Sequence, residues 1–116
     1  MTTFLEGVLV EVCRVEGVRG ALLVSAEDGL VVAESAMDGL DAGPVAALAA
    51  SLTGRLAATT TALGEPPPTL IALEATDGGL VVATGDVGLL LVAVTEADVN
   101  AGMLRLALLD AIGRLA

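Results

Sequence analysis

The sequence predicts an α+β fold of three layers, α-β-α, built on a five-stranded antiparallel sheet. Its elements follow the order helix-strand-strand-helix-strand-strand-strand-helix, and residues 1–116 read as one domain. Three observations carry this prediction. The five residues Gly29-Leu30-Val31-Val32-Ala33 recur unchanged at Gly79-Leu80-Val81-Val82-Ala83, each copy directly behind a polar turn, Ala26-Glu27-Asp28 first and Thr76-Asp77-Gly78 second. An apolar run precedes each turn, Ala21-Leu22-Leu23-Val24 and Leu70-Ile71-Ala72-Leu73, so each copy is the return strand of a hairpin. Finally, Ala21-Leu22-Leu23-Val24 and Gly88-Leu89-Leu90-Leu91-Val92-Ala93-Val94 are apolar at odd and even positions alike, which requires cover on both faces of the sheet.

The elements follow in order. Thr3 and Glu6 stand at capping-box spacing, and Phe4, Leu5, Val8, Val12 and Val15 recur at helical intervals before Gly17, giving a first helix from Thr3 to Glu16. Gly20 to Ser25 and Gly29 to Ser35 form the first hairpin, whose turn uses the positive φ open to Gly29. After a loop from Ala36 to Gly43, an acidic cap residue ahead of a proline starts the second helix between Asp41 and Pro44. It runs to about Leu63, and Gly64-Glu65-Pro66-Pro67-Pro68 ends it. Three strands, Thr69 to Ala75, Gly79 to Thr84 and Gly88 to Val94, are separated by short polar turns and therefore pair antiparallel. The last helix runs from about Ala97 to Leu115, with Thr95 or Glu96 as its cap.

Residue types exclude most common chemistries. Histidine and lysine are absent and Cys13 is the single cysteine, so zinc sites, intrachain disulfides, histidine-assisted nucleophiles, Schiff bases and the Walker A loop are all ruled out. The carboxylates Glu27 and Asp28 remain as a pair, but a hairpin turn is an ordinary place for acids. No catalytic residue, cofactor or metal is expected. With 15 acidic against 5 basic residues and one aromatic side chain, Phe4, the chain would repel phosphate backbones and cannot stack bases. The longest stretch without charge, Ala42 to Gly54, is too short for a spanning helix. Glu6 stands where a signal peptide would carry positive charge, so a cytoplasmic location is expected.

The second helix has two faces to explain. On a wheel, Val45, Leu48, Ala49, Leu52, Leu56 and Leu63 share about a third of the circle and are expected to face the sheet. The opposite arc holds Ala46, Ala47, Ala50, Gly54, Ala57 and Thr61, with Ser51, Arg55 and Ala58 at its border. A helix face selected for water would carry lysine, glutamate and glutamine there. Small residues instead let another helix approach, which suits two copies packed across a two-fold axis. An alanine-rich chain can also expose alanine simply because alanine favours helix. Arg55 reads either as a rim residue or as a salt-bridge donor to a partner.

Val18-Arg19-Gly20-Ala21-Leu22-Leu23-Val24-Ser25, the Asp28-Gly29-Leu30-Val31 turn and strand, and Asn100-x-Gly102-x-x-Arg105 at the last helix, taken in this order, resemble the roadblock family of dynein-light-chain-like domains, in particular bacterial gliding-motility members of the MglB type. The resemblance implies a profilin-like fold with the middle helix on one side of the sheet and the terminal helices on the other. It further implies a homodimer in which two sheets continue into one, and a non-enzymatic regulator or adaptor of a small Ras-like GTPase that docks on the paired middle helices. Some members of the family speed GTP hydrolysis by reordering the switch segments of the GTPase without an arginine finger, in keeping with a chain that has few arginines. Asn100, Gly102 and Arg105 match the family pattern and are read as structural: a cap, a close-packing glycine and an ion-pair partner. An assembly module that ignores nucleotide state fits the resemblance equally. A small-ligand sensor fits poorly, because the strands offer few converging polar groups.

Overall fold

A computed structural model describes the backbone of residues 2–85 and 88–115, with side chains from Phe4 onward. It contains α1 (Thr2–Cys13), β1 (Val18–Ser25), β2 (Val31–Ser35), α2 (Ala42–Ala62), β3 (Leu70–Ala75), β4 (Gly78–Thr84), β5 (Leu89–Thr95) and α3 (Ala101–Arg114). The fold is α+β, as the sequence predicts. All strand pairs are antiparallel, and the order across the sheet is β2-β1-β5-β4-β3. Pairing of β1 with β5 therefore joins the first hairpin to the three-stranded group, leaving β2 and β3 as edges.

Side-chain alternation along the strands divides the interior in two. Ala21, Leu23, Ala83, Leu91 and Ala93 point to one face and pack with Val8, Leu9 and Val12 of α1 and Leu104, Leu108 and Ala111 of α3. Leu22, Val24, Ile71, Val82, Leu90 and Val92 point to the other and pack with Ala46 and Ala49 of α2. This is the three-layer arrangement that unalternated apolar strands demand. The one break in register within the first hairpin is a bulge, where Leu23 pairs with Ala33 and Val24 with Val31 so that Val32 has no partner.

Four local expectations are revised. The first helix stops at Cys13, short of Glu16, because Arg14 and Val15 donate to Glu11 and Val12 in a tightened turn that leads to Gly17 at φ +92°. That glycine is obligatory, since a Cβ would lie 2.6 Å from the Val99 Cα. Thr3 already lies inside the helix, and its side chain falls outside the described residues. Asp41 does occupy the cap position of α2, yet its carboxylate accepts no capping hydrogen bond. The C-terminal end is secured instead: Gly64, at φ +76°, donates to Thr61 O at 3.0 Å, and Glu65 donates to Thr60 O at 2.8 Å, a Schellman closure.

The fourth revision concerns α3. Thr95 and Glu96 do not cap it, because Thr95 is the last rung of β5, paired with Gly79 and Val18 and only 3% exposed. The cap is Asn100, whose Oδ1 accepts from Met103 N at 3.0 Å, so the family-pattern asparagine has the structural role read from it.

Candidate protein-interaction surface

On α2 the line that meets the sheet is Ala42, Ala46, Ala49, Thr53, Leu56 and Thr60, small in its middle, so the helix lies close against β1, β2 and β5. The wheel built on the larger aliphatics is thus rotated from the true one. Ala46, expected on the outer arc, is fully buried, while Leu48 and Leu63, expected against the sheet, are 59% and 72% exposed. Ala50 and Ala57 are half-buried. Ala50 rests over the first hairpin, where a Cβ added at Gly29 would lie 3.4 Å from the Ala50 Cβ and from the Ala47 Cα. The remaining residues of the predicted face, Ala47, Ser51, Gly54, Arg55, Ala58 and Thr61, are all exposed and lie on one side of the helix.

Geometry splits that surface into two parts. Ala47, Ser51, Gly54, Ala58 and Thr61 follow one another at spacings of three and four and form a smooth outward stripe. The flank carrying Val45 and Leu48 leans the other way, toward β3 and β4, and together with Leu73, Leu80 and Val94 borders an open apolar depression. Leu73 is 44% exposed there. On the opposite side of the same hairpin, a cavity of about 330 Å³ lies between β3 and the start of α3, lined by Leu70, Ala72, Val81, Leu104 and Arg105 among others. Both faces of the β3–β4 end are therefore undercovered, and its edge is free. The wheel places Leu48 against the sheet, and its 59% exposure on this flank is the departure that opens the depression.

The helix side of this surface carries little charge, whereas Arg19, Glu74 and Asp77 border the depression. Arg55 is the one charged residue of α2, and among the described residues neither it nor Arg105 has a carboxylate within 4.0 Å. Of the two places where Arg105 is expected to find an acid, the sheet and a partner chain, the sheet supplies none among the described residues. Gly102 is exposed, and a Cβ there would meet only Asn100 Oδ1 at 3.7 Å, so it serves no close packing within the chain. The one ion pair described joins Arg14 to Glu11 at 3.1 Å on the surface of α1, where solvent screening leaves it with little effect.

The remaining chemical candidates are structural. Asp28 Oδ1 accepts from Leu30 N at 3.2 Å and shapes the turn. The Cys13 thiol is half-buried and donates a long contact to Ser35 O at 3.8 Å; burial pushes its pKa up, which the hydrogen bond opposes. Thr53 Oγ1 is buried without a partner under α2. No group of three or more His, Cys, Asp or Glu side chains able to hold a metal occurs among the described residues. No helix among them is long and apolar enough to cross a membrane.

Comparison with known proteins places this architecture. The family model of the Roadblock/LC7 domain matches residues 4–95. The chain belongs to the Roadblock/LC7 family. Among its relatives is the uncharacterized protein MJ0714 of Methanocaldococcus jannaschii, 29% identical over 113 residues that cover 97% of this chain and 94% of the relative. Among solved structures, Myxococcus xanthus MglB superposes with a TM-score of 0.90 at 17% identity, covering 98% of this chain and 86% of that one. The gliding protein MglB from Thermus thermophilus gives a TM-score of 0.87 at 26% identity, with 99% and 87% covered. Asn100 to Arg105 lie beyond the matched stretch, and of these residues the geometry gives a role to Asn100, the cap of α3.

Proposed function

We propose that this Roadblock/LC7 chain is a cytoplasmic, non-enzymatic homodimer that regulates or anchors a small Ras-like GTPase. The observation that carries the reading is the exposed side of α2: a long helix bare of charge except for Arg55, bordered by the apolar Leu48 flank and an undercovered sheet end. Surfaces this apolar and this continuous mark interaction sites.

The two parts of the surface suit two partners. A second copy joined at the β3 edge meets the Leu48 flank, extends the sheet, and covers Leu73, Leu80 and Val94. The stripe Ala47-Ser51-Gly54-Ala58-Thr61 then points outward from the paired helices and receives the GTPase, with Arg55 at its border. This arrangement narrows the face expected from the sequence, because Ala46 is buried inside the chain and Ala50 and Ala57 are half-buried. Acceleration of GTP hydrolysis, where present, acts by ordering the GTPase's own switch segments.

The test separates the two roles. Leu48→Glu places a charge in the seam and converts the dimer to monomer in light scattering. Gly54→Arg, on the stripe, leaves the mass unchanged and abolishes capture of the GTP-loaded GTPase in titration calorimetry. Equal binding of GDP-loaded and GTP-loaded forms assigns the chain to nucleotide-independent assembly. No binding in either state, at micromolar sensitivity, overturns the reading.

A further inference from the structure

The outer rim of β2 is a second unfilled place, remote in the sheet order from β3. β2 includes Val31, Val32 and Ala33 of the repeated pentapeptide, and in β4 the matching Val81, Val82 and Ala83 are paired on both sides, with β3 and with β5. In β2 the same residues have only β1 beside them, and Leu30, Val31 and Val32 are left exposed, Leu30 by 64%. β2 thus has the side chains of an interior strand and a neighbour on one side. Of the usual guards of a natural edge, β2 has its shortness, the bulge at Val32 and the single charge of Glu34, and no proline, so its apolar rim is only partly protected.

Charge selects the occupant. Between Arg19 and Arg55 the chain carries Glu27, Asp28, Glu34, Asp38 and Asp41 and no basic residue, so the turn before β2, the strand itself and the loop after it are uniformly acidic. The turn is already ordered, with Ser25 N donating to Leu30 O at 2.9 Å and Asp28 Oδ1 accepting from Leu30 N, so an incoming strand meets a preformed rim. The bulge at Val32 keeps the regular part of that rim short. We propose that β2 takes up, as an added strand, a short extended segment of a partner protein that alternates basic and aliphatic side chains. A second copy of this chain is a poor occupant, since its own rim brings the same carboxylates.

The experiment uses three fluorescent seven-residue peptides with blocked ends: one alternating lysine and valine, one alternating glutamate and valine, and the lysine-valine peptide N-methylated at every second amide. Anisotropy measures binding and amide hydrogen exchange locates it. The lysine-valine peptide is expected to bind and to protect amides between Val31 and Ser35, while the other two fail. The double variant Glu34→Lys with Asp38→Lys, both exposed positions, should weaken binding about tenfold with an unchanged circular-dichroism spectrum. Equal binding of the glutamate-valine peptide removes the charge argument, and equal binding of the N-methylated peptide removes strand addition. Protection elsewhere, an unaffected double variant, or no binding at all likewise overturns the proposal.

Discussion

The pentapeptide Gly-Leu-Val-Val-Ala occurs twice, and the two copies have different fates. In β4, Val82 and Ala83 are fully buried and Gly79 lies flat in the ladder, where a Cβ would collide with the Leu73 carbonyl oxygen. In the first hairpin, Gly29 is the left-handed hinge of a turn at φ +71°, and Val31 and Val32 are 37% and 42% exposed. Identical residues thus differ in burial because one copy lies inside the sheet and the other at its rim. Burial here belongs to the topology, and strand composition alone does not supply it.

Matched substitutions can break this contrast, beginning with the glycines. Gly79→Ala forces a methyl into backbone and is expected to cost about 3 kcal/mol, the upper end of overpacking, whereas Gly29→Ala meets only the cost of a left-handed backbone, about 1 kcal/mol. Urea denaturation followed by circular dichroism checks both, and equal costs would mean the two glycines share one role. Val82→Ala comes next, at about 2 kcal/mol for lost contact and a residual cavity. The corresponding Val32→Ala should stay within about 0.5 kcal/mol, as for other surface sites. A Val32→Ala cost approaching that of Val82→Ala would show that the rim is covered in solution.

A smaller effect sharpens the comparison at the end of β2. Ala36 is the one described non-glycine residue at positive φ, +58°, and its carbonyl oxygen lies close over Gly20, 2.9 Å from where a Cβ would stand. Ala36→Gly relieves that backbone and should raise stability by about 0.5 kcal/mol, read as a higher urea midpoint. Smallest of all is the pH response of Cys13, which links α1 to the end of β2 through Ser35. Burial raises its pKa in the folded chain, so the native state holds the thiol proton more tightly than the unfolded state does. Its contribution is fully present below the ordinary thiol value and is lost as pH climbs through the raised one. Urea midpoints measured from pH 8 to pH 10 should therefore fall a little more in the parent than in Cys13→Ala.

Element order, hairpin turns and two-sided burial were legible because they are written in local chemistry: Asp28-Gly29, the Gly64 to Pro68 stop, and strands without polar alternation. The phase of α2 was not. Large aliphatics usually mark the buried arc, but here alanines line the contact so that the helix can sit low, and Leu48 is left over for the flank. The start of α3 offered three polar caps, Thr95, Glu96 and Asn100, and the choice of Asn100 over Thr95 depends on a ladder rung that only the assembled sheet defines. Among the predicted face residues, Ala47, Ser51, Gly54, Arg55, Ala58 and Thr61 are exposed on one side, and Ala46 is buried.

The unequal ends of α2 have a dynamic consequence. One terminus is latched by the Gly64 and Glu65 amides and the other, at Asp41, has no side-chain latch, so the helix should unzip from its first turn inward. Deuterium would then enter near Ala42 well before it reaches Thr60, giving a graded clock along the helix. Any molecule resting on Leu48 would slow that clock at its fast end, while one resting on Ala58 would leave it running.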